Sequence, residues 1–299
     1  MPCDGVRCLR VRSLFPPVQW LTACFDRLPR IRRMDAGSTV VAVVAGYRFV
    51  ELDDCAALRE RLFDNAACAG LTGTVLLAPE GINFNLAGAP MALQGWLATL
   101  AADPRFQGLE LKQHSAAVAP FKRLRVKVKL EIIRMNERGI RPQAGRAPAV
   151  DGRTLARWLA AGRCDEGRPV VLLDARNGFE ADAGAFEGAL DWRLTKFSDF
   201  PAALQAHRSE LAGKTVVSDC TGGIRCEKAA LWMQQTGVPH ALQLDGGILR
   251  YFEVAPGAPH WRGSCFVFDE RIALDSALDA APDPTLEPEI EPAAEGQAA

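Results

Sequence analysis

Cys220 stands between a β-branched run, Val216-Val217-Ser218-Asp219, and a segment carrying Ala229, Ala230, Leu231, Trp232 and Met233 at helical spacing. The stretch reads as strand, tight loop, helix. Between the two lie Thr221, Gly222, Gly223 and Ile224, then Arg225 and Cys226. Paired glycines let a backbone curl so that successive N–H groups point inward, and the following helix adds the positive end of its dipole. Thr221, Gly222, Gly223 and Ile224 thus form a candidate anion cradle, and the Cys220 thiol should ionise below its free value of about 8.5. Arg225 supplies positive charge nearby. The chemistry on offer is that of a thiolate nucleophile or a persulfide carrier.

The six residues from Cys220 to Arg225 make a loop one shorter than the Cys-x5-Arg cradle of phosphotyrosine-type phosphatases. The shorter loop suits sulfur carried on cysteine; the longer one suits a tetrahedral oxyanion. A buried structural cysteine is the competing reading, since free Cys is often buried, but packing alone would not choose Gly-Gly beside Arg. Cys226 reads as fixing the start of the helix. In a redox-sensing alternative, it pairs with Cys220 if the loop unwinds.

The run Cys220-Thr221-Gly222-Gly223-Ile224-Arg225-Cys226-Glu227-Lys228 resembles the active loop of rhodanese-type domains, and more narrowly that of the bacterial tRNA uridine(34) hydroxylases. Further segments resemble the same family in order: Pro79-Glu80-Gly81-Ile82-Asn83 after a strand, Asp103-Pro104-Arg105-Phe106, Asp174-Ala175-Arg176-Asn177, Leu244-Asp245-Gly246-Gly247-Ile248-Leu249, and Trp261 through Asp269. The resemblance spans residues 40–275. It implies oxygen-dependent hydroxylation of the wobble uridine of tRNA to 5-hydroxyuridine, with molecular oxygen as co-substrate and Cys220 and Arg225 as catalytic residues. A persulfide-forming sulfurtransferase is the alternative that the loop alone supports. Asp174, Arg176 and Cys226 are candidates for supporting the site; a local ion pair is the plainer reading of the first two.

Positioning that loop takes a chain of 299 residues, long enough for two domains, with 48% apolar and 24% charged residues. No apolar run approaches the roughly 20 residues of a membrane span. Nine irregularly spaced cysteines do not read as a secreted disulfide framework, so a reducing cytoplasm is expected. Four scattered histidines show no metal-ligand spacing. Longer members of the family carry extra cysteines after the Phe-Val-Phe-Asp segment and this chain has none there, so no metal is expected. A Gly-x-Gly-x-x-Gly or flavin motif is not recognisable either.

Residues 1–37 form an Arg-rich extension that reads as a transit peptide or basic arm, or, as preferred here, as sequence upstream of a true start at Met34. Residues 38–135 follow a βαββαβ order and predict a ferredoxin-like α+β sandwich, with a helix over 90–101 and strands over 109–113 and 126–133. Asp53 and Asp54 are placed to cap its first helix. Arg123, Arg125, Lys127 and Lys129 alternate with Leu124, Val126, Val128 and Leu130, which puts four cations on one strand face and four apolar groups on the other. Such a face is either simply solvated or crossed by a polyanion, and the backbone of a tRNA anticodon arm would serve. No obligate protein partner is expected.

Residues 136–150 read as a linker. Residues 151–262 predict a rhodanese-like, doubly wound parallel sheet, because Val170-Val171-Leu172-Leu173 is apolar on both faces. Residues 263–274 read as a packing segment, and the Ala-, Pro- and Glu-rich residues 275–299 as a disordered acidic tail.

Overall fold

Alternation in β1 (Val41–Phe49) sends Ala42 and Val44 to one side and Val43, Ala45 and Tyr47 to the other, and this division organises the first half of the molecule. The computed structural model describes residues 40–137 and 139–281; the basic extension 1–37 lies outside them. After β1 come α1 (Cys55–Cys68), β2 (Thr72–Ala78), β3 (Gly81–Gly88), α2 (Pro90–Ala101), β4 (Leu111–Ala116) and β5 (Leu124–Val128). The sheet order is β4-β1-β3-β2-β5. Its first four strands have ferredoxin-like order, and β5 is an added edge strand, parallel to β2. Leu58 and Leu62 of α1 and Leu93, Trp96 and Leu97 of α2 cover only one face of the sheet, packing on Val44, Val75, Ile82, Phe84 and Leu86.

The Asp54 side chain does not cap α1; Arg105 takes its carboxylate with bonds of 2.6 and 3.0 Å. The final strand is Leu124–Val128 rather than 126–133, because the Ile132 N–H is captured by the Glu80 carboxylate at 2.7 Å and the chain turns off the sheet edge. For the same reason Val126 is buried, whereas Val128 is 44% and Leu130 92% exposed.

A second sheet, wholly parallel, has the order β6-β11-β10-β7-β9, from β6 (Ala149–Val150), β7 (Val170–Asp174), β9 (Leu190–Asp191), β10 (Thr215–Asp219) and β11 (Ala241–Leu244); β8 (Gly184–Phe186) and β12 (Trp261–Gly263) pair with each other outside it. Leu172 and Val217 face one core with α3 (Gly152–Ala161) and α7 (Gly247–Val254). Leu173 and Val216 face the other, with α5 (Phe200–His207) and α6 (Ile224–Gln235). This two-sided burial is what the continuous apolar strands require. α6 begins at Ile224, directly after left-handed Gly223, which ends the loop.

Residues 136–150 are not a free linker: Ile140, Pro142 and Ala147 are buried, and Ala149–Val150 pairs with β11 as an edge strand. The start of the expected tail is also built in. β13 (Cys265–Phe266) pairs with β14 (Ala273–Leu274), and the Ala281 N–H returns to the Ala273 carbonyl at 3.0 Å. Residues 282–299 of that tail lie outside the described residues. No helix among the described residues is long and apolar enough to cross a membrane.

Candidate functional site

Cys220 follows the last residue of central strand β10 and sits at the C-terminal edge of the parallel sheet, where open α/β folds bind ligands. Its sulfur accepts the Gly223 N–H at 3.2 Å and the Cys226 S–H at 3.0 Å. Gly223 has φ of 95°, and a Cβ there would lie 3.3 Å from the Gly246 carbonyl carbon and from Tyr47 Oη. The start of α7 supports the loop from below: Ile248 and Leu249 N–H groups donate to the carbonyls of Cys220 and Thr221 at 2.9 and 3.1 Å. Gly247 has φ of 71°, and its missing Cβ is what lets the Cys220 carbonyl approach, since that atom would be 2.4 Å away. Thr221 is tied by its hydroxyl to the Phe266 carbonyl at 3.3 Å.

Burial pushes the Cys220 thiol up, but the Cys226 S–H, the Arg225 charge and the backbone N–H groups of Cys226 and Gly223 outweigh it and bring the value down to about 5. Cys226 moves the opposite way: burial first, then the neighbouring Cys220 anion, hold its thiol well above the ordinary range. The shared proton therefore stays on Cys226 and the charge on Cys220.

Arg225 is not a loose cation beside the sulfur. Its two terminal nitrogens each donate at 2.7 Å to the carboxylate of fully buried Glu180, which begins α4 (Gly178–Ala183) by also accepting the Asn177 N–H at 3.0 Å. Asp174 and Arg176 do not line the cavity described below; they form a buried pair with bonds of 2.6 to 3.1 Å. Arg176 also donates to the carbonyls of Glu180 and Gly184 at 3.2 and 2.7 Å. It holds the turn that holds Glu180, which holds Arg225.

A cavity of about 570 Å³ lies over the loop, lined below by Cys220, Thr221, Gly222, Ile224 and Arg225. Its roof is the helix-free face of the first sheet: Val43, Ala45 and Tyr47 of β1, Asn83 and Asn85 of β3, Lys112 and His114 of β4. Val267, Phe268, Asp269 and Arg271 form a side wall. Burial and then the Arg271 charge lower His114 to about 4, so its imidazole is neutral at neutral pH. Sequence reading missed this roof. The signal was present in β3, where Asn83 and Asn85 alternate with Ile82, Phe84 and Leu86, the residues that pack on the helices.

The end of the motif fastens roof to floor. Lys228 of α6, 2% exposed, bonds the Glu80 and Glu131 carboxylates at 2.8 and 2.7 Å and the Ile133 carbonyl at 2.9 Å. Glu227 accepts the Tyr47 hydroxyl at 3.1 Å. Arg123, Arg125, Lys127 and Lys129 all stand exposed along the β5 edge, outside the cavity lining.

A ferredoxin-like sandwich roofing a rhodanese-type cysteine loop defines a two-domain cysteine enzyme. Residues 41–132 match the family described as UPF0176 acylphosphatase like domain. The chain is 57% identical over 234 residues to the tRNA uridine(34) hydroxylase of Bordetella avium, covering 78% of this chain and 96% of that one. The enzyme of the same name from Variovorax paradoxus is 58% identical over 77% of this chain and 88% of its own, and that of Bordetella pertussis 57% over 80% and 98%. The chain belongs to the tRNA uridine(34) hydroxylase family.

Proposed function

We propose that this protein hydroxylates uridine 34, the wobble base of tRNA, to 5-hydroxyuridine in the cytoplasm, with oxygen taken from O2 and Cys220 as the nucleophile. One observation carries the reading: the anion-holding loop opens into a cavity of about 570 Å³ whose opposite wall belongs to the other sheet. That volume lies in the range of about 300–1,000 Å³ typical of small-ligand sites, and it accommodates a single base taken out of its stack. Uracil is electrophilic at C6. Thiolate addition there moves the C5–C6 electron pair toward O4 and makes C5 nucleophilic, so C5 becomes the carbon that bonds to oxygen. One atom of O2 stays on C5 as the hydroxyl, the other leaves as water with two electrons and two protons from an external two-electron reductant, and the thiolate departs from C6 as the ring double bond re-forms. Cys220 performs the addition, the Gly223 N–H and Cys226 S–H control its charge, and Arg225, held by Glu180, sets the local positive potential. The exposed β5 cations are the proposed track for the anticodon-arm backbone.

A second reading, persulfide transfer, draws support from the donors trained on Cys220, which would hold a persulfide equally well. It gives the roof no task. Mass analysis of nucleosides from tRNA incubated with the purified protein, in air and without oxygen, separates the two. The hydroxylase reading expects one added oxygen on uridine 34, only in air and only with Cys220 intact. No gain in either condition, together with thiocyanate formation from thiosulfate and cyanide, assigns the protein to sulfur transfer.

A further inference from the structure

Lys112 is a buried cation with no partner. It is 7% exposed, faces the cavity from β4, and makes no hydrogen bond or ion pair among the described residues; its nearest recorded neighbour is the Tyr47 ring, 5.8 Å from Nζ. The other cations buried near the loop are paired: Arg225 with Glu180, Arg176 with Asp174, Lys228 with two carboxylates. Asp219, whose carboxyl oxygens also lack a partner, is a buried acid whose pKa burial and the neighbouring Asp174 push well up, and it does not line the cavity. An unpaired ammonium in such a place is costly, so an anion missing from the protein itself is the natural complement. Burial lowers its pKa, and the Cys220 charge is the leading influence in the other direction, which puts the two groups within electrostatic reach across the cavity.

The geometry points to Lys112 as the group that neutralises O4 of the uracil when Cys220 adds to C6. This rests on the thiolate-addition reading above. In the step, the Sγ–C6 bond forms, the C5–C6 π bond breaks, and its electron pair passes to O4 as an enolate. Nothing is oxidised or reduced. The ammonium is placed to donate to that oxygen as its charge develops, acting as an oxyanion donor contributed by the ferredoxin-like sheet rather than by the rhodanese loop. The roof is then a working half of the site.

Anaerobic exchange of the uridine C5 hydrogen with solvent reads this step without oxygen, since the enolate picks up a proton at C5 and collapses back. The substrate is an anticodon stem-loop tritiated at C5 of uridine 34, and the full chain is used. Loss of one oxyanion donor costs about 100- to 1,000-fold, so Lys112→Met should slow tritium release by about that factor. Its affinity for the stem-loop should stay within about threefold, as for a group that acts only as charge develops. Lys112→Arg, which keeps a cation, should retain much of the exchange. Lys112→Met should also melt at higher temperature than the wild type, which excludes unfolding as the cause; should it fail to fold, Lys112→Gln serves in its place. Exchange at the wild-type rate in Lys112→Met, with none in Cys220→Ser, overturns the role of Lys112 alone. No exchange in a wild-type protein that hydroxylates in air overturns thiolate addition and the Lys112 inference with it.

Discussion

Lys228 and Glu80, 148 positions apart, meet at 2.8 Å where the rhodanese helix α6 abuts the β2–β3 hairpin. Glu131 completes the arrangement at 2.7 Å, and its carboxylate in turn accepts the N–H groups of Met135 and Asn136 at 3.0 Å. One ammonium thus joins the active loop, the hairpin and the connecting segment. The Glu-Lys at the end of the Cys220 motif and the Glu80 of the Pro-Glu-Gly motif are two ends of a single contact.

Lys228→Met is therefore predicted to destabilise the protein by about 3–5 kcal/mol, the usual cost of removing one partner from a buried pair. Two carboxylates would be left facing each other. Urea unfolding should show a lowered midpoint, and combining Lys228→Met with Glu80→Gln should cost less than the sum of the two. Additive losses would mean the residues do not act as one unit.

The reactive form of Cys220 is the thiolate, and its pKa is depressed to about 5. Activity should accordingly be present above that pH and fall about tenfold per unit as pH drops below it. Cys226→Ala removes the S–H donor, so the break should move upward, whereas Cys226→Ser keeps a donor and should move it less. Thiolate ultraviolet absorbance against pH, referenced to Cys220→Ser, reads both shifts directly. An unmoved break in Cys226→Ala would remove that thiol from the control of the site.

How far the sequence alone reaches is visible residue by residue. The strand-loop-helix around Cys220 was legible because its signals are local: a β-branched run, two glycines, then helical periodicity. The pairing of Arg225 with Glu180 was not, because 45 residues separate them and nothing in either neighbourhood encodes the partner. Nothing in its sequence neighbourhood singles out Lys112; only the antiparallel register that sets it opposite Ala45 turns it inward to the cavity. The edge of β5 misled for a similar reason, since alternation continues through Leu130 although Glu80 has already drawn the chain away.

Glu180 provides a test with the opposite sign to that of Cys226. Glu180→Gln leaves the Arg225 charge uncompensated, which should destabilise the fold by about 3–5 kcal/mol while holding the Cys220 thiolate more strongly. The acid break in activity should stay or move down, never up. Arg225→Lys should lose most activity, because an ammonium cannot make the two parallel bonds that orient the guanidinium. Wild-type rates in Arg225→Lys would show that charge alone suffices.

The last prediction concerns the exposed edge strand. Arg123, Arg125, Lys127 and Lys129 have no protein role that burial or packing identifies, and they stand along β5, separated from the roof strands by β2. If they follow the phosphate backbone, replacing all four by Gln should weaken tRNA binding and flatten the plot of log affinity against log salt by about 3, at about 0.7–0.9 per phosphate contact. Protein stability should barely change, because exposed charges contribute about 0–1 kcal/mol each, and the rate at saturating tRNA should survive. Fluorescence anisotropy across a salt series supplies the slope and single-turnover modification supplies the rate. A slope equal to that of the wild type would return these four cations to solvent and require the tRNA to approach from another side. A normal slope change with a collapsed saturating rate would instead place the strand in positioning the base, since lost uniform binding alone leaves the bound reaction untouched.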